Sequence, residues 1–115
     1  MITFSEFRSL AFTFPDVTES PHFEKTSFRL RKKIFATYAE KEHKVCLKLS
    51  EADQSAFTVL GKTRVSAVPN KWGSQGWTFF ELSDMDVDMM RDALACAYAE
   101  VETKRGTHGK NEQIL

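Results

Sequence analysis

Cysteine is scarce in this chain: only Cys46 and Cys96 occur in 115 residues, far apart. That excludes a disulfide-stapled scaffold and points to reduced thiols in a cytoplasmic protein. The three histidines, His22, His43 and His108, share no zinc-ligand spacing with each other or with the cysteines. Long apolar runs are missing, and none approaches the ~20 residues needed to span a bilayer. The opening MITFSEFRSL has neither the basic nor the apolar segment of a signal peptide. No membrane association and no cofactor are therefore expected.

Net charge is also absent, since 16 basic residues balance 16 acidic ones. The balance is uneven along the chain. From His22 to Trp72 there are eleven Lys/Arg against five Asp/Glu, while both flanks are acidic. A neutral total thus hides a basic centre, and local fields rather than net charge guide a charged partner.

What is present has the size of one domain, read here as residues 1–105 with a flexible tail over 106–115. Thr3 and Glu6 fit a helix capping box, and Phe4, Phe7, Leu10, Ala11 and Phe14 keep helical spacing up to Pro15. From about Val17 to Leu49 the period becomes two. Thr26, Phe28 and Leu30 alternate with Ser27, Arg29 and Arg31, and Val45, Leu47 and Leu49 with Lys44, Cys46 and Lys48. Such alternation predicts antiparallel strands with one solvated face. Arg31-Lys32-Lys33 and Glu40-Lys41-Glu42-His43 are the expected turns.

A helix over 50–60 follows, with Ala52, Ala56, Phe57 and Leu60 inward and Gly61 ending it. A strand near Arg64–Val68, the aromatic strand WTFFEL and a last helix from about Ser83 to Lys104 complete the chain. The order, α-β-β-β-(β)-α-β-β-α, predicts a single α+β domain with helices packed on a mostly antiparallel sheet.

No motif specifies a reaction. NKWGSQGW (70–77) lacks the Lys-Ser/Thr of a phosphate-binding loop, and a strand rather than a helix follows its glycines. It reads as a flexible connection between strands. In Asp84-Met85-Asp86-Val87-Asp88 the calcium-loop positions that need Gly and Glu are Met89 and Ala95, so these are helix-start carboxylates. Lys44 and Lys48 beside Cys46 would favour a thiolate, but no general base accompanies it and a structural thiol is the preferred reading. The chain is not expected to be an enzyme.

The basic residues of the strands and turns form the main functional feature. Arg29, Arg31, Lys32, Lys33, Lys48, Arg64 and Lys71 would contact phosphates if they shared a face, with Trp72 stacking or wedging. The residues from Ser50 to Leu60 include no Lys or Arg, which argues against a recognition helix and for weak sequence preference.

Phe14-Pro15-Asp16-Val17-Thr18-Glu19, His22-Phe23, Ser27-Phe28-Arg29, Lys33-Ile34-Phe35-Ala36, Leu47-Lys48-Leu49 and Gly76-Trp77-Thr78 occur in an order that resembles the MmcQ/YjbR-like family of small bacterial proteins, over residues 3–104. Ala97-Tyr98 stands where that family usually has Ser-Tyr. The resemblance implies an α+β fold of the frataxin-like, "double wing" type, for which DNA binding has been proposed. The wings would be the Arg31-Lys32-Lys33 region and the 71–77 loop.

Double-stranded DNA is accordingly the expected partner of a cytoplasmic, monomeric module. The alternative is a small-molecule or protein-binding domain using the sheet face near Trp72, Trp77 and Phe79. Iron binding by analogy with frataxin would need a dense acidic ridge, and only Glu6, Asp16 and Glu19 lie in or just after the first helix.

Overall fold

The computed structural model describes residues 1–103. The tail expected at 106–115 and the pair Lys104-Arg105 lie outside them. Helix α1 (Phe4–Ala11) starts at the expected capping box. The Glu6 N–H donates to Thr3 Oγ1 at 3.1 Å, and the Thr3 N–H donates to Glu6 Oε1 at 2.9 Å. Phe7 and Ala11 turn inward. Phe14 lies beyond the helix and stacks on Tyr98, with ring centroids 5.0 Å apart.

Strands β1 (Val17–His22), β2 (Lys25–Leu30), β3 (Lys33–Ala39) and β4 (Lys44–Lys48) form an antiparallel meander. Strands β5 (Val65–Ala67) and β6 (Trp77–Glu81) complete one six-stranded sheet in the order β1-β2-β3-β4-β6-β5. Every pairing is antiparallel, as the alternation predicts. The α+β class is the expected one.

One face of the sheet holds Phe28, Leu30, Ala36, Val45, Leu47 and Phe80, and carries the main core with α1 and helix α4 (Val87–Thr103). The register shifts between Phe28 and Arg29. This irregularity lets consecutive residues, Phe35 and Ala36, both join that core.

The other face is not solvated along its centre, contrary to the simple alternation. Ser27, Thr37, Cys46 and Trp77 are all buried there. The cover comes from the segment expected to be a flexible loop. Residues Lys71–Ser74 form a one-turn helix, α3, whose first N–H groups include that of Trp72, donated to Asn70 Oδ1 at 2.8 Å. Trp72, Ile34 and Phe79 then pack on Cys46, Val68 and Trp77 as a second, smaller core. Gly76 has the positive φ expected of it, +106°. Gly73 serves close approach instead, because a β-carbon there would overlap the Val68 carbonyl.

Helix α2 (Glu51–Gly61) starts at Ser50, whose Oγ accepts from the Asp53 N–H. Its inner face differs from the expectation. Phe57 is buried, but Ala52, Ala56 and Leu60 are exposed. The helix instead presents Gln54, whose Nε2 reaches the Gly73 and Trp77 carbonyls and Thr78 Oγ1. The two N–H groups of this amide are shared among three acceptors, which orients α2 by its polar contact and leaves Ala52, Ala56 and Leu60 facing water. Helix α4 begins four residues later than expected, after Asp84 adopts φ +60° and Asp86 caps the Met89 N–H.

Candidate nucleic-acid interface

The antiparallel register decides which basic residues share an end of the sheet. Leu30 pairs with Val17 and Lys33, and Lys48 pairs with Trp77. The Arg31-Lys32 turn, the end of β4 and the start of β6 therefore all lie at one end. Because α3 leads directly into β6, Lys71 and Trp72 belong there as well. With strands about 4.8 Å apart, the β2–β3 turn and the start of β6 are separated by roughly 14 Å.

Arg31 and Lys32 are exposed in a two-residue turn, and Arg31 holds φ +59°, a conformation that favours glycine. Lys33 is half-buried as the first residue of β3. Lys71 is exposed, and its Nζ lies 5.2 Å from the Trp72 ring centroid. The Trp72 ring is half-buried against the second core, so it anchors α3 and holds Lys71 outward.

The remaining basic candidates are placed differently. Arg29 lies on the second face, where its Nε donates to Ser27 Oγ at 3.2 Å, and that hydroxyl donates to the Ser20 carbonyl. Lys48 sits at the basic end but pairs with Glu100 of α4 at 3.6 Å. Arg64 precedes β5 at the opposite end of the sheet, 3.4 Å from Asp84. The register does not bring it to the others. Acids also border the basic end. Asp16 and Glu102 raise the Tyr98 hydroxyl pKa after the larger effect of burial, and Arg31 acts the other way.

The second supposed wing, 71–77, is not a projecting strand hairpin; its first four residues are the folded-down helix α3. The β1–β2 turn at Phe23-Glu24, which lacks a Gly or Asn signal, is a hairpin that the periodicity did not single out. Cys46, flanked on its strand by Lys44 and Lys48, is no activated thiol. Burial pushes its pKa up to about 12, against smaller opposing effects of Lys25 and Lys44 and a backbone hydrogen bond from Thr78. Trp77 is 5% exposed and Lys44 Nζ caps the Phe79 ring at 3.9 Å, so the protein's own side chains fill the aromatic sheet face.

Among the described residues, no group of three or more His, Cys, Asp or Glu is arranged to hold a metal ion. No helix among them is long and apolar enough to cross a membrane.

Comparison with known proteins agrees with the architecture. The sequence model of the YjbR family matches residues 12–100. The crystal structure of Deinococcus radiodurans protein DR2400, a DUF419 domain, superposes with a TM-score of 0.74 at 17% identity. That match covers 96% of this chain and 84% of the other. At such identity the likeness is one of fold. No curated protein matches the chain.

Proposed function

The chain belongs to the YjbR family, and from that premise we propose that it is a nucleic-acid-binding module that grips duplex phosphates with the basic end of its sheet. The observation that carries this reading is the register, which sets exposed Arg31 and Lys32 at the same end as exposed Lys71. The β2–β3 turn and the start of β6 are roughly 14 Å apart, comparable to the ~12 Å width of the major groove, so cations at these two places can address phosphates on either side of it. Lys33 contributes from the same turn, Arg29 from the second face behind it, and Lys48 once it exchanges Glu100 for a phosphate. Arg64 takes no part.

Contacts of this kind position a duplex without reading it, so weak sequence preference follows. Two features support that. Helix α2 carries no Lys or Arg, and α3 is a single turn whose tryptophan is committed to packing. The module performs no chemical step.

Fluorescence anisotropy with a labelled random-sequence duplex, at low and at physiological salt and with heparin as competitor, tests the reading. Saturable binding that survives physiological salt is expected. Reversing Arg31 and Lys32 to Glu should weaken it at every sequence and lower the salt slope by about two. Binding that is absent at both salts, or equally strong in the reversed variant, overturns it.

A further inference from the structure

The end of the sheet away from Arg31 and Lys71 carries a groove rimmed by two carboxylates. There the β1–β2 turn places Phe23 at φ +60°, with the residue 88% exposed and its ring in edge contact with His22 at 4.8 Å. An exposed phenylalanine in the left-handed region combines backbone strain of about 1 kcal/mol with unburied apolar surface. The positive φ is what a two-residue hairpin turn requires at its first position, as at Arg31, but closing the turn does not call for an exposed aromatic ring there.

Next to it, the register pairs Thr26 with Tyr38 on the helix-covered face. Phe4, the first residue of α1, stacks on the Tyr38 ring at 4.4 Å and 28°. Because α1 begins there, the corner of the sheet beyond Phe4 is uncovered. An open groove of about 390 Å³ remains, walled by Phe4, Phe23 and Tyr38 and rimmed by Glu24 and Glu40. Its volume falls within the range of small-ligand sites.

The charges around it have one dominant sign. Glu24 and Glu40 are both exposed on the rim. The Glu40 charge reaches the Tyr38 hydroxyl, adding to burial in raising its pKa. The single cation of the lining, Lys25, also acts on Cys46, which faces the other side of the sheet. The open Phe23 ring, the stacked Phe4–Tyr38 pair and two carboxylates against one ammonium create a potential that an organic cation satisfies.

We infer that this groove binds an organic cation, a guanidinium or an alkylated ammonium, between the Phe23 ring and the stacked Phe4–Tyr38 pair, with Glu24 and Glu40 neutralising its charge. A bare metal ion would gain little from the rings, and an anion would be repelled. Phe23 supplies a face that closes over the cation, which accounts for its exposed position. The groove lies at the end of the sheet away from Arg31 and Lys71, so the two sites stand or fall separately.

Titration of the ¹⁵N-labelled full chain, followed by amide chemical shifts, tests the inference. The probes are Nα-acetyl-arginine methylamide for a side chain presented on a peptide and tetramethylammonium for a free amine, with potassium chloride at equal ionic strength as control. Saturable shifts centred on residues 23–26, 38 and 40 are expected with one or both probes, and the probe that saturates identifies the source. In a Glu24→Gln, Glu40→Gln variant, whose changes are on the exposed rim, affinity should fall at least tenfold. Shifts that stay linear and match potassium chloride for both probes overturn the inference. So does saturation centred elsewhere, or an affinity that the double variant leaves unchanged.

Discussion

The side-chain amide of Gln54 ties α2 to the buried hydroxyl of Thr78, with Nε2 donating to Oγ1 at 3.0 Å. The same nitrogen serves the carbonyls of Gly73 at 3.0 Å and Trp77 at 3.2 Å, while Thr78 Oγ1 donates onward to the Gly76 carbonyl. One amide therefore joins a helix, the one-turn helix α3 and strand β6. Replacing it with an apolar isostere leaves acceptors in a dry environment without donors. Gln54→Leu should destabilise the fold by about 2 kcal/mol, read as a lower denaturant midpoint with an unchanged slope.

Gly73 meets the Val68 carbonyl so closely that no β-carbon fits. Backbone cannot move aside as a flexible side chain would. Gly73→Ala should therefore push α3 off the second core, at a cost of about 2–3 kcal/mol. Trp72 fluorescence shifted to the red in the native protein would report the movement. A variant as stable as the parent, with unshifted emission, would count against this account of α3.

The alkaline limb of stability should carry the signature of Cys46. Its folded pKa, about 12, lies well above the ordinary value of a free thiol, because burial disfavours the thiolate. The unfolded chain releases this proton first, so unfolding is favoured as pH rises. The contribution is fully present below about pH 9 and is lost as pH climbs through the window to about 12, by at most ~1.4 kcal/mol per unit. The tyrosines Tyr38 and Tyr98, both raised, act in the same direction from about pH 10. Cys46→Ala should flatten the slope between pH 9 and 10, where the tyrosines contribute least. At neutral pH a thiol reagent should find Cys46 inert unless the protein unfolds.

Arg31 should separate stability from binding. Its φ of +59° is unfavourable for any residue with a β-carbon. Arg31→Gly is expected to gain about 0.5–1 kcal/mol in thermal or chemical denaturation, after allowing for the greater freedom of glycine in the unfolded chain. The same change removes an exposed cation from the proposed phosphate-gripping end, so duplex affinity should drop. A variant that gains stability and loses affinity is the expected pair of outcomes, and unchanged stability would argue that the turn carries no strain.

Tyr98 holds the chain where it leaves α1, donating its hydroxyl to the Pro15 carbonyl at 2.8 Å. Tyr98→Phe keeps the stack on Phe14 and removes only that bond. A loss of about 1 kcal/mol is expected, with faster amide exchange at Asp16 and Val17.

Much of the fold was legible because its signals are local. The Thr3–Glu6 box and the Ser50 cap each involve residues three apart. Alternation named the strands from Val17 to Leu49, and a period of two requires no knowledge of the partner strand. The resemblance to YjbR-like proteins likewise rested on short segments in order, and the family match covers 12–100.

The candidate site was legible only in part. Arg31, Lys32 and Lys71 sit at one end of the sheet, but sequence alone gave Arg64 the same standing, and strand order sends it to the other end beside Asp84. The groove at Phe23 left no trace in the periodicity. Its turn has no Gly or Asn, and its walls come from residues as far apart as Phe4 and Tyr38.

The sequence by itself determined the longer helices and the strands, the caps of α1 and α2, the class of the fold and the basic bias of its centre. Those depend on interactions within a few residues. The tertiary structure decided which faces are covered, burying Cys46 under Trp72 and leaving Leu60 in water. It also brought Arg31, Lys32 and Lys71 to one end of the sheet and sent Arg64 to the other. Burial and electrostatic neighbourhood are set by residues distant in the chain, and only the register of the sheet and the docking of α2 and α3 bring those residues together.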